Sequence, residues 1–129
     1  MGWKLSNDRP IYMQLIDRIK IQILSGQYHP GDNFPTVRDL ATQAAVNPNT
    51  MQKALASLEQ EGLLISSRTA GRTVTTDQNL IHQMRNQLAE QSYESFHHSM
   101  TELGFTESEL QDFLREKVFM MPRGRRELL

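Results

Sequence analysis

The sequence predicts a mainly α-helical fold with a small β-wing: a winged helix-turn-helix followed by a short two-helix region. Three observations support this prediction. Two short helical patterns meet at a tight turn between Phe34 and Leu64, a hairpin pattern comes directly after them, and two more helical patterns fill most of the remaining chain. We therefore expect one domain at residues 1–76 and a second region at residues 77–129.

A first helix is predicted between Pro10 and Gly26, because proline favours helix starts and glycine favours helix ends. Its apolar side chains recur at helical spacing and form one stripe, made of Tyr12, Leu15, Ile16, Ile19 and Ile23. The segment from Tyr28 to Pro35 contains two prolines and Gly31, so we expect an ordered turn there.

Capping chemistry predicts where the second helix begins. The Thr36 hydroxyl can accept a hydrogen bond from the backbone N–H of Asp39, and that carboxylate lies in the positive first turn, so the helix begins near Val37. Its small or aliphatic stripe lets another helix approach closely, through Val37, Leu40, Ala41 and Ala44. We expect the turn itself at Ala45-Val46.

The third helix begins with an exposed polar tip. Asn47 is a favoured N-cap, and Pro48 takes the first helical position, where its missing N–H costs nothing. The buried stripe consists of Met51, Ala54, Leu55 and Leu58, and Gly62 ends the helix. A helix-turn-helix of this kind inserts its second helix into the DNA major groove and contacts base edges with the N-terminal residues of that helix.

The hairpin that follows predicts a wing. Residues 63–68 and 72–75 have strand patterns on either side of a Thr69-Ala70-Gly71 turn, with Arg68 and Arg72 at the base of the hairpin. Such a hairpin lies beside the recognition helix, where its arginines can meet phosphates or the minor groove.

Two helices are expected beyond a polar link at Asp77–Asn79. One runs from about Gln78 to Leu103, and the other runs from a capping box at Thr106–Glu109 to about Met121. Two amphipathic helices bury only one face each, so their apolar side chains need another surface. We expect a second copy of the chain to supply it, contacted by Met84, Leu88, Phe96, Met100, Leu103, Phe105, Leu110, Phe113 and Leu114. The alternative is packing on the chain's own N-terminal domain.

The DNA contacts are predicted from the chemistry of exposed side chains. The amides of Asn49 and Gln52 suit adenine, and the Arg38 guanidinium can clamp a phosphate or grip guanine as a fork. The remaining cations suit phosphates. The full predicted set is Thr36, Arg38, Asn47, Asn49, Thr50, Gln52, Lys53, Arg68, Gly71 and Arg72.

Plainer roles stay open for the same side chains. Arg38 can pair with Asp39 or a nearby glutamate, Thr50 can bond back to the first turn, and Gly71 can serve only the geometry of the hairpin turn. Asn47 can act as a cap alone. The other members can be ordinary solvated polar residues.

At this point the chain resembles a known family. The segments Pro10-Ile11-Tyr12, Pro30-Gly31-Asp32, Phe34–Ala41 and Val46–Thr50 resemble the N-terminal domain of GntR-type bacterial transcriptional regulators, over about residues 8–76. The remaining residues resemble the small helical dimerisation domain of the YtrA-like subfamily. The resemblance implies a homodimeric repressor that binds a double-stranded inverted-repeat operator near its own operon, often with transporter genes.

Two positions depart from the pattern of that family. Thr69 stands where the wing usually has glycine, so the tip of the wing is expected to be stiffer. Relatives often have arginine in the recognition helix, whereas this chain has Asn49 and Gln52, which shifts the expected base preference.

Composition agrees with this interpretation. Residues 1–76 contain eight basic and six acidic residues, a net +2, whereas residues 77–129 contain six and nine, a net −3. The chain has no cysteine, which excludes disulfides and thiolate metal sites and is compatible with a reducing cytoplasm. No apolar run approaches the roughly 20 residues of a membrane span, so no membrane partner is expected.

Other chemistry is not indicated. His97 and His98 are adjacent and point to different helix faces, so we expect no metal and no cofactor. No phosphate-cradling glycine loop or nucleophile elbow is present, which argues against an enzyme. The basic tail Arg123–Arg126 fits a solvated terminus or additional non-specific attraction to DNA.

Three functional classes remain as hypotheses. The first is the dimeric DNA-binding regulator. The second is a protein-docking winged helix, against which the Pro-capped polar tip and the arginines of the wing argue. The third is an added activity, a ligand-gated switch in which an apolar effector occupies a dimer pocket lined by Met and Phe.

Overall fold

The structure is a computed structural model and describes residues 2–69 and 71–120. Within those residues the elements in chain order are α1 (Ile11–Leu24), α2 (Val37–Ala44), α3 (Pro48–Gln60), β1 (Leu64–Ser67), β2 (Gly71–Val74), α4 (Gln78–Glu102) and α5 (Glu107–Met120). The predicted class, mainly helical with a two-stranded wing, is confirmed. The chain divides into two units, Met1–Gln87 and Leu88–Leu129, and α4 contains residues of both.

The core of the first unit is built from the predicted apolar stripes of α1, α2 and α3 together with the wing. Its largest fully buried side chains are Leu15, Ile19, Ile23, Leu40, Met51, Leu55, Leu58, Leu63, Leu64 and Val74. Tyr12 and Ile16 were expected in the α1 stripe and are only half-buried, whereas Leu24 is buried in addition. This core buries one face of α3 and leaves the opposite face of the helix exposed.

Local chemistry sets the helix-turn-helix as predicted. The Thr36 hydroxyl accepts from the Asp39 N–H at 3.1 Å and begins α2. Ala45 ends that helix in the left-handed region, with φ 58° and ψ 50°, and the Val46 N–H donates to the Ala41 carbonyl at 3.0 Å. This bonding satisfies the last carbonyls of α2 and turns the chain sharply towards α3.

The wing is an antiparallel pair in which Leu64 faces Val74 and Ser67 faces Gly71. The predicted strand limits differ at the turn: Arg68 lies in the turn, and β2 begins at Gly71. Asn33 forms a further bridge to Thr73, and the Phe34 N–H donates to the Arg72 carbonyl at 2.8 Å. The loop before α2 therefore covers the outer edge of the wing, a long-range pairing that the sequence pattern did not reveal.

The predicted start of α4 at about Gln78 is confirmed, whereas the polar link predicted at Asp77–Asn79 is two residues too long. Asp77 alone precedes α4, and its carboxylate accepts from the Leu80 N–H at 3.1 Å, so it serves as a cap. The Leu80 side chain lies close to Gly62, just after the end of α3: a Cβ added at Gly62 would stand 3.2 Å from Leu80 Cδ2. The first turns of α4 thus complete the first unit.

The second unit contains most of α4, the turn at Gly104 and α5. Gly104 has a φ of 92° and follows α4, and Thr106 and Glu109 form the predicted capping box: the Glu109 N–H donates to Thr106 at 3.1 Å, and the Thr106 N–H donates to Glu109 at 3.0 Å. Met100 is the buried residue of α4, and Leu110 is the buried residue of α5. Phe105 and Phe113 meet edge to face with ring centroids 5.8 Å apart.

Candidate nucleic-acid interface

The start of α3 presents the polar face that the helical spacing predicts. The Asn47 side chain accepts from the Asn49 N–H at 2.8 Å, which caps the helix directly before Pro48. Asn49 and Gln52 are exposed, while Met51 on the opposite face is fully buried. Fixed backbone with exposed amides is the arrangement required for contacts to base edges.

Thr50 is half-buried beside this tip. Its hydroxyl makes no hydrogen bond to the described residues, so the back-bonding alternative is not what the structure contains, and the backbone N–H donates to the Asn47 carbonyl at 3.0 Å. The Thr50 side chain is therefore placed at the margin of the exposed face.

Arg38 and Thr36 lie in the first turn of α2 and its cap, and both are exposed. The Thr36 hydroxyl is used in the capping bond to Asp39. Among residues 2–69 and 71–120, no carboxylate forms an ion pair with Arg38, so the alternative pairing with Asp39 or a neighbouring glutamate is not seen. An exposed guanidinium is available to a phosphate or a guanine edge.

Lys53 has a partner that the sequence did not predict. Its ammonium group lies over the Tyr12 ring of α1, 3.8 Å from the ring centroid. This distance is well inside the range of a cation–π contact, and Lys53 is otherwise exposed. The lysine is thus oriented by α1 rather than extended freely into solvent.

The two arginines of the wing lie in different environments. Arg68 is exposed in the hairpin turn, and within the described residues it has no ion-pair partner. Arg72 has a side chain only 17% exposed, and its guanidinium Nε donates to Glu59 in the last turn of α3. Gly71, with a φ of 70°, has nothing within 4 Å of where a Cβ would stand, so its backbone conformation rather than crowding requires glycine.

Glu59 joins the wing to the recognition helix and was not among the predicted site residues. It also accepts from the Ser66 hydroxyl at 2.5 Å. The hydrogen bond from Ser66, opposed by partial burial and reinforced by Arg72, lowers the pKa of the Glu59 carboxyl below its ordinary value. The available signal was a carboxylate in the last turn of a helix directly before a hairpin that contains arginine.

The predicted dimerisation residues separate into three groups by burial. Met100 and Leu110 are already buried within the chain, while Met84, Leu88, Phe105 and Phe113 are half-buried. Exposed members are Phe96, Leu103 and Leu114, of which Leu103 is 73% exposed. Four further exposed apolar side chains lie outside that predicted set: Tyr93, Val118, Phe119 and Met120. Together these seven exposed side chains are named the apolar face.

Both adjacent histidines of α4 contact carboxylates. His97 bonds Glu107 at 2.5 Å, and His98 pairs with Glu102. Within the described parts of the chain, no three His, Cys, Asp or Glu residues are grouped so that they could hold a metal ion. The same parts contain no helix long and apolar enough to cross a membrane. The tail Arg123–Arg126 lies outside the described residues.

Comparisons with known proteins agree with this geometry. Residues 11–74 match the family model described as bacterial regulatory proteins, gntR family. The HTH-type transcriptional regulator YhcF of Bacillus subtilis is 30% identical over 89% of this chain and 95% of its own length. The HTH-type transcriptional repressor YtrA of the same organism is 47% identical over 62 residues, 48% of each chain.

Solved structures of GntR-type regulators are also similar to this chain. A GntR family transcriptional regulator from Listeria monocytogenes superimposes with a TM-score of 0.80 at 34% identity, covering 87% of this chain and 98% of that one. AraR(DBD), solved in complex with operator ORX1, has a TM-score of 0.51 at 32% identity and covers 58% of this chain and 92% of its own. The second of these contains DNA on the same kind of domain.

Proposed function

Because the chain belongs to the GntR family of bacterial regulatory proteins, we propose that it is a repressor that binds an inverted-repeat operator as a homodimer. It is a DNA-binding transcriptional regulator similar to YhcF and YtrA, and it is not an enzyme. The observation that supports this most is the exposed, Asn47-capped start of α3. Repression is supported by the name of YtrA. Action on chromosomal DNA would take place in the cytoplasm.

The recognition helix is proposed to enter the major groove. Asn49 and Gln52 contact base edges, Thr50 contacts a phosphate or a thymine methyl, and Arg38 grips guanine or a phosphate from α2. Thr36 and Asn47 hold the two helix starts and add phosphate contacts. In this proposal the amides determine sequence and the flanking groups determine position.

The wing is proposed to lie near the minor groove, with Arg68 and the backbone at Gly71 closest to DNA. Arg72 is proposed to have a different role. Because its guanidinium donates to Glu59, Arg72 holds the wing against α3 and contacts phosphate only with its remaining donors. This refines the equal roles that the sequence predicts for the two arginines.

Dimerisation through residues 77–129 is supported by the apolar face. Its members lie on α4 and α5 and at the turn between them, and within the described residues these apolar side chains are left exposed. A two-fold pair of chains would cover them and would match a palindromic operator. Residues 1–76 would then carry DNA contacts and residues 77–129 would join the copies.

The test is selection of bound duplexes from random DNA with the purified protein, followed by titration of the enriched duplex at several salt concentrations. We expect an inverted repeat with half-sites about 34 Å apart. Arg38, Lys53 and Arg68 from two subunits would release about six counterions, so the log–log salt slope should be near −5. Salt-independent affinity, or equal affinity for a scrambled duplex, would refute the proposal.

A further inference from the structure

The segment before α1 lies against the helix-turn-helix rather than away from it. We name residues Gly2–Ser6 the N-terminal arm. The Trp3 N–H donates to the carbonyl of Ala44, the last residue of α2, at 3.3 Å. A Cβ added at Gly2 would stand 2.7 Å from the Ala44 carbonyl oxygen and 2.8 Å from the Ala45 side chain, so the arm touches the turn with no space for even a methyl group.

Two further contacts hold the N-terminal arm in this position. The Arg18 guanidinium of α1 lies over the Trp3 ring, 4.8 Å from its centroid. The Ser6 backbone is held from both sides by one amide, because its N–H donates to Gln14 Oε1 at 2.8 Å and its carbonyl accepts from Gln14 Nε2 at 2.9 Å. Burial alternates along the arm, with Trp3 and Leu5 half-buried and their neighbours exposed, as in an extended segment packed on one side.

The residues under the arm set the direction of the recognition helix. Ala45 adopts a left-handed conformation that a residue with a Cβ takes only at a cost, and such a conformation persists when the surroundings fix it. The same arm shares a surface recess with Asn47 and Thr50 at the start of α3. Any movement of the turn at Ala45 would change where the base-contacting side chains of α3 point.

We propose that the N-terminal arm braces the helix-turn-helix and that Trp3 is a positioning residue for sequence-specific DNA binding, a proposal that rests on the function proposed above. Base contacts require alignment of donors and acceptors, whereas phosphate contacts with flexible cations tolerate small shifts. Loss of the brace therefore lowers affinity for the operator while affinity for unrelated DNA stays nearly constant.

Trp3 is the only tryptophan of the chain, so its fluorescence reports the position of the arm directly. The first variant is Gly2→Ala, whose methyl group must lift the arm without touching the core. We expect acrylamide to quench Trp3 more strongly in this variant. In the full-length chain, affinity for the duplex enriched by the unaltered protein should fall about tenfold, comparable to one lost base contact, with affinity for a scrambled duplex unchanged.

Trp3→Ala should have the same effect on DNA binding, and Trp3→Phe should restore much of the operator preference because a smaller ring still faces Arg18. The matched control is Ile21→Ala, which removes a 58% exposed apolar side chain from α1 and should leave both affinities unchanged. Thermal unfolding is followed for every variant, so that a general loss of fold is recognised by equal losses on both duplexes.

The outcomes separate this proposal from the one on which it rests. If the unaltered protein enriches no duplex, both proposals are overturned. If it prefers an operator, and that preference survives both Trp3→Ala and a Gly2→Ala change that raises quenching, then only the brace is overturned.

Discussion

Replacing Glu59 by alanine tests how the wing is held to the recognition helix. The substitution removes an acceptor used by both Ser66 and Arg72, and leaves a guanidinium that is only 17% exposed without its partner. Glu59 itself is 28% exposed. The pair is therefore neither a surface ion pair nor a fully buried one.

The size of the effect follows from that partial burial. Exposed ion pairs contribute roughly 0.2 to 1 kcal/mol, and hydrogen bonds to charged groups in protected sites contribute about 1.5 to 3 kcal/mol. We expect Glu59→Ala to lower the free energy of unfolding of the first unit by about 1 to 2 kcal/mol, after the small gain from removing a negative charge near a helix C-terminus. The midpoint of thermal unfolding should fall by about 5 to 10 °C.

The contribution of Glu59 should also depend on pH. Because the pKa of its carboxyl is lowered in the folded protein from the ordinary value of 4.5, the folded state holds the ionised form more tightly than the unfolded state does. The stabilisation is then fully present above pH 4.5 and is lost as pH falls through the folded pKa. The difference in stability between the unaltered protein and Glu59→Gln should be constant near neutrality and should shrink below pH 4.5.

Urea unfolding followed by circular dichroism gives these free energies. Glu59→Gln, Arg72→Gln and the double variant form a cycle, in which the coupling should be at least about 0.5 kcal/mol. Gln60→Ala, an exposed neighbour on the same helical turn, serves as the control and should change stability by less than about 0.5 kcal/mol. Additive single effects, or a stability difference that does not change with acid, would refute the reasoning.

The remaining predictions concern DNA binding and assembly. Arg38→Ala should weaken operator binding by about 1 to 3 kcal/mol in a titration if the guanidinium forms a fork with guanine, and an unchanged constant would contradict this role. Gln52→Ala should change the base preference found by duplex selection, whereas Lys53→Ala should weaken all duplexes alike; identical profiles would show that the assigned faces of α3 are wrong. Leu103→Glu should make the protein monomeric in sedimentation, and Leu103→Ser should weaken the dimer less; a dimer that tolerates glutamate would place the interface elsewhere. A fragment of residues 1–87, which keeps the first turns of α4 on the first unit, should fold as a monomer and bind the full operator about a hundredfold more weakly than the intact chain; a dimeric or equally tight fragment would contradict the role of the apolar face.

Much of the fold could be predicted because its determinants are local. The caps at Thr36, Asn47 and Thr106 involve residues two or three positions apart, and the structure contains each of them. The stripes of α1, α2 and α3 follow from helical spacing alone. The polar link at Asp77–Asn79 was predicted too long because Asp77 caps α4, so that the residues after it are already helical.

The candidate site was predicted only in part, because only some of its features depend on local sequence. Exposure of Asn49 and Gln52 follows from the helical period and needs no tertiary information. The partners of Lys53 and Arg72 do need it, because Tyr12 is 41 positions from Lys53 and Glu59 is 13 from Arg72 in the chain. No pattern of spacing predicts which of several exposed cations will meet an aromatic ring or a carboxylate.

By itself the sequence determined the order of the elements, the polar tip of the recognition helix and the family resemblance, since these depend on capping, periodicity and residue type along short stretches. Only the tertiary structure decided that the loop at Asn33 covers the wing, that Glu59 fastens the wing to α3 and that the arm at Trp3 rests on the turn at Ala45. Each of these contacts joins segments that are distant in the chain. Their geometry is fixed by the packing of the whole core, which no local pattern contains.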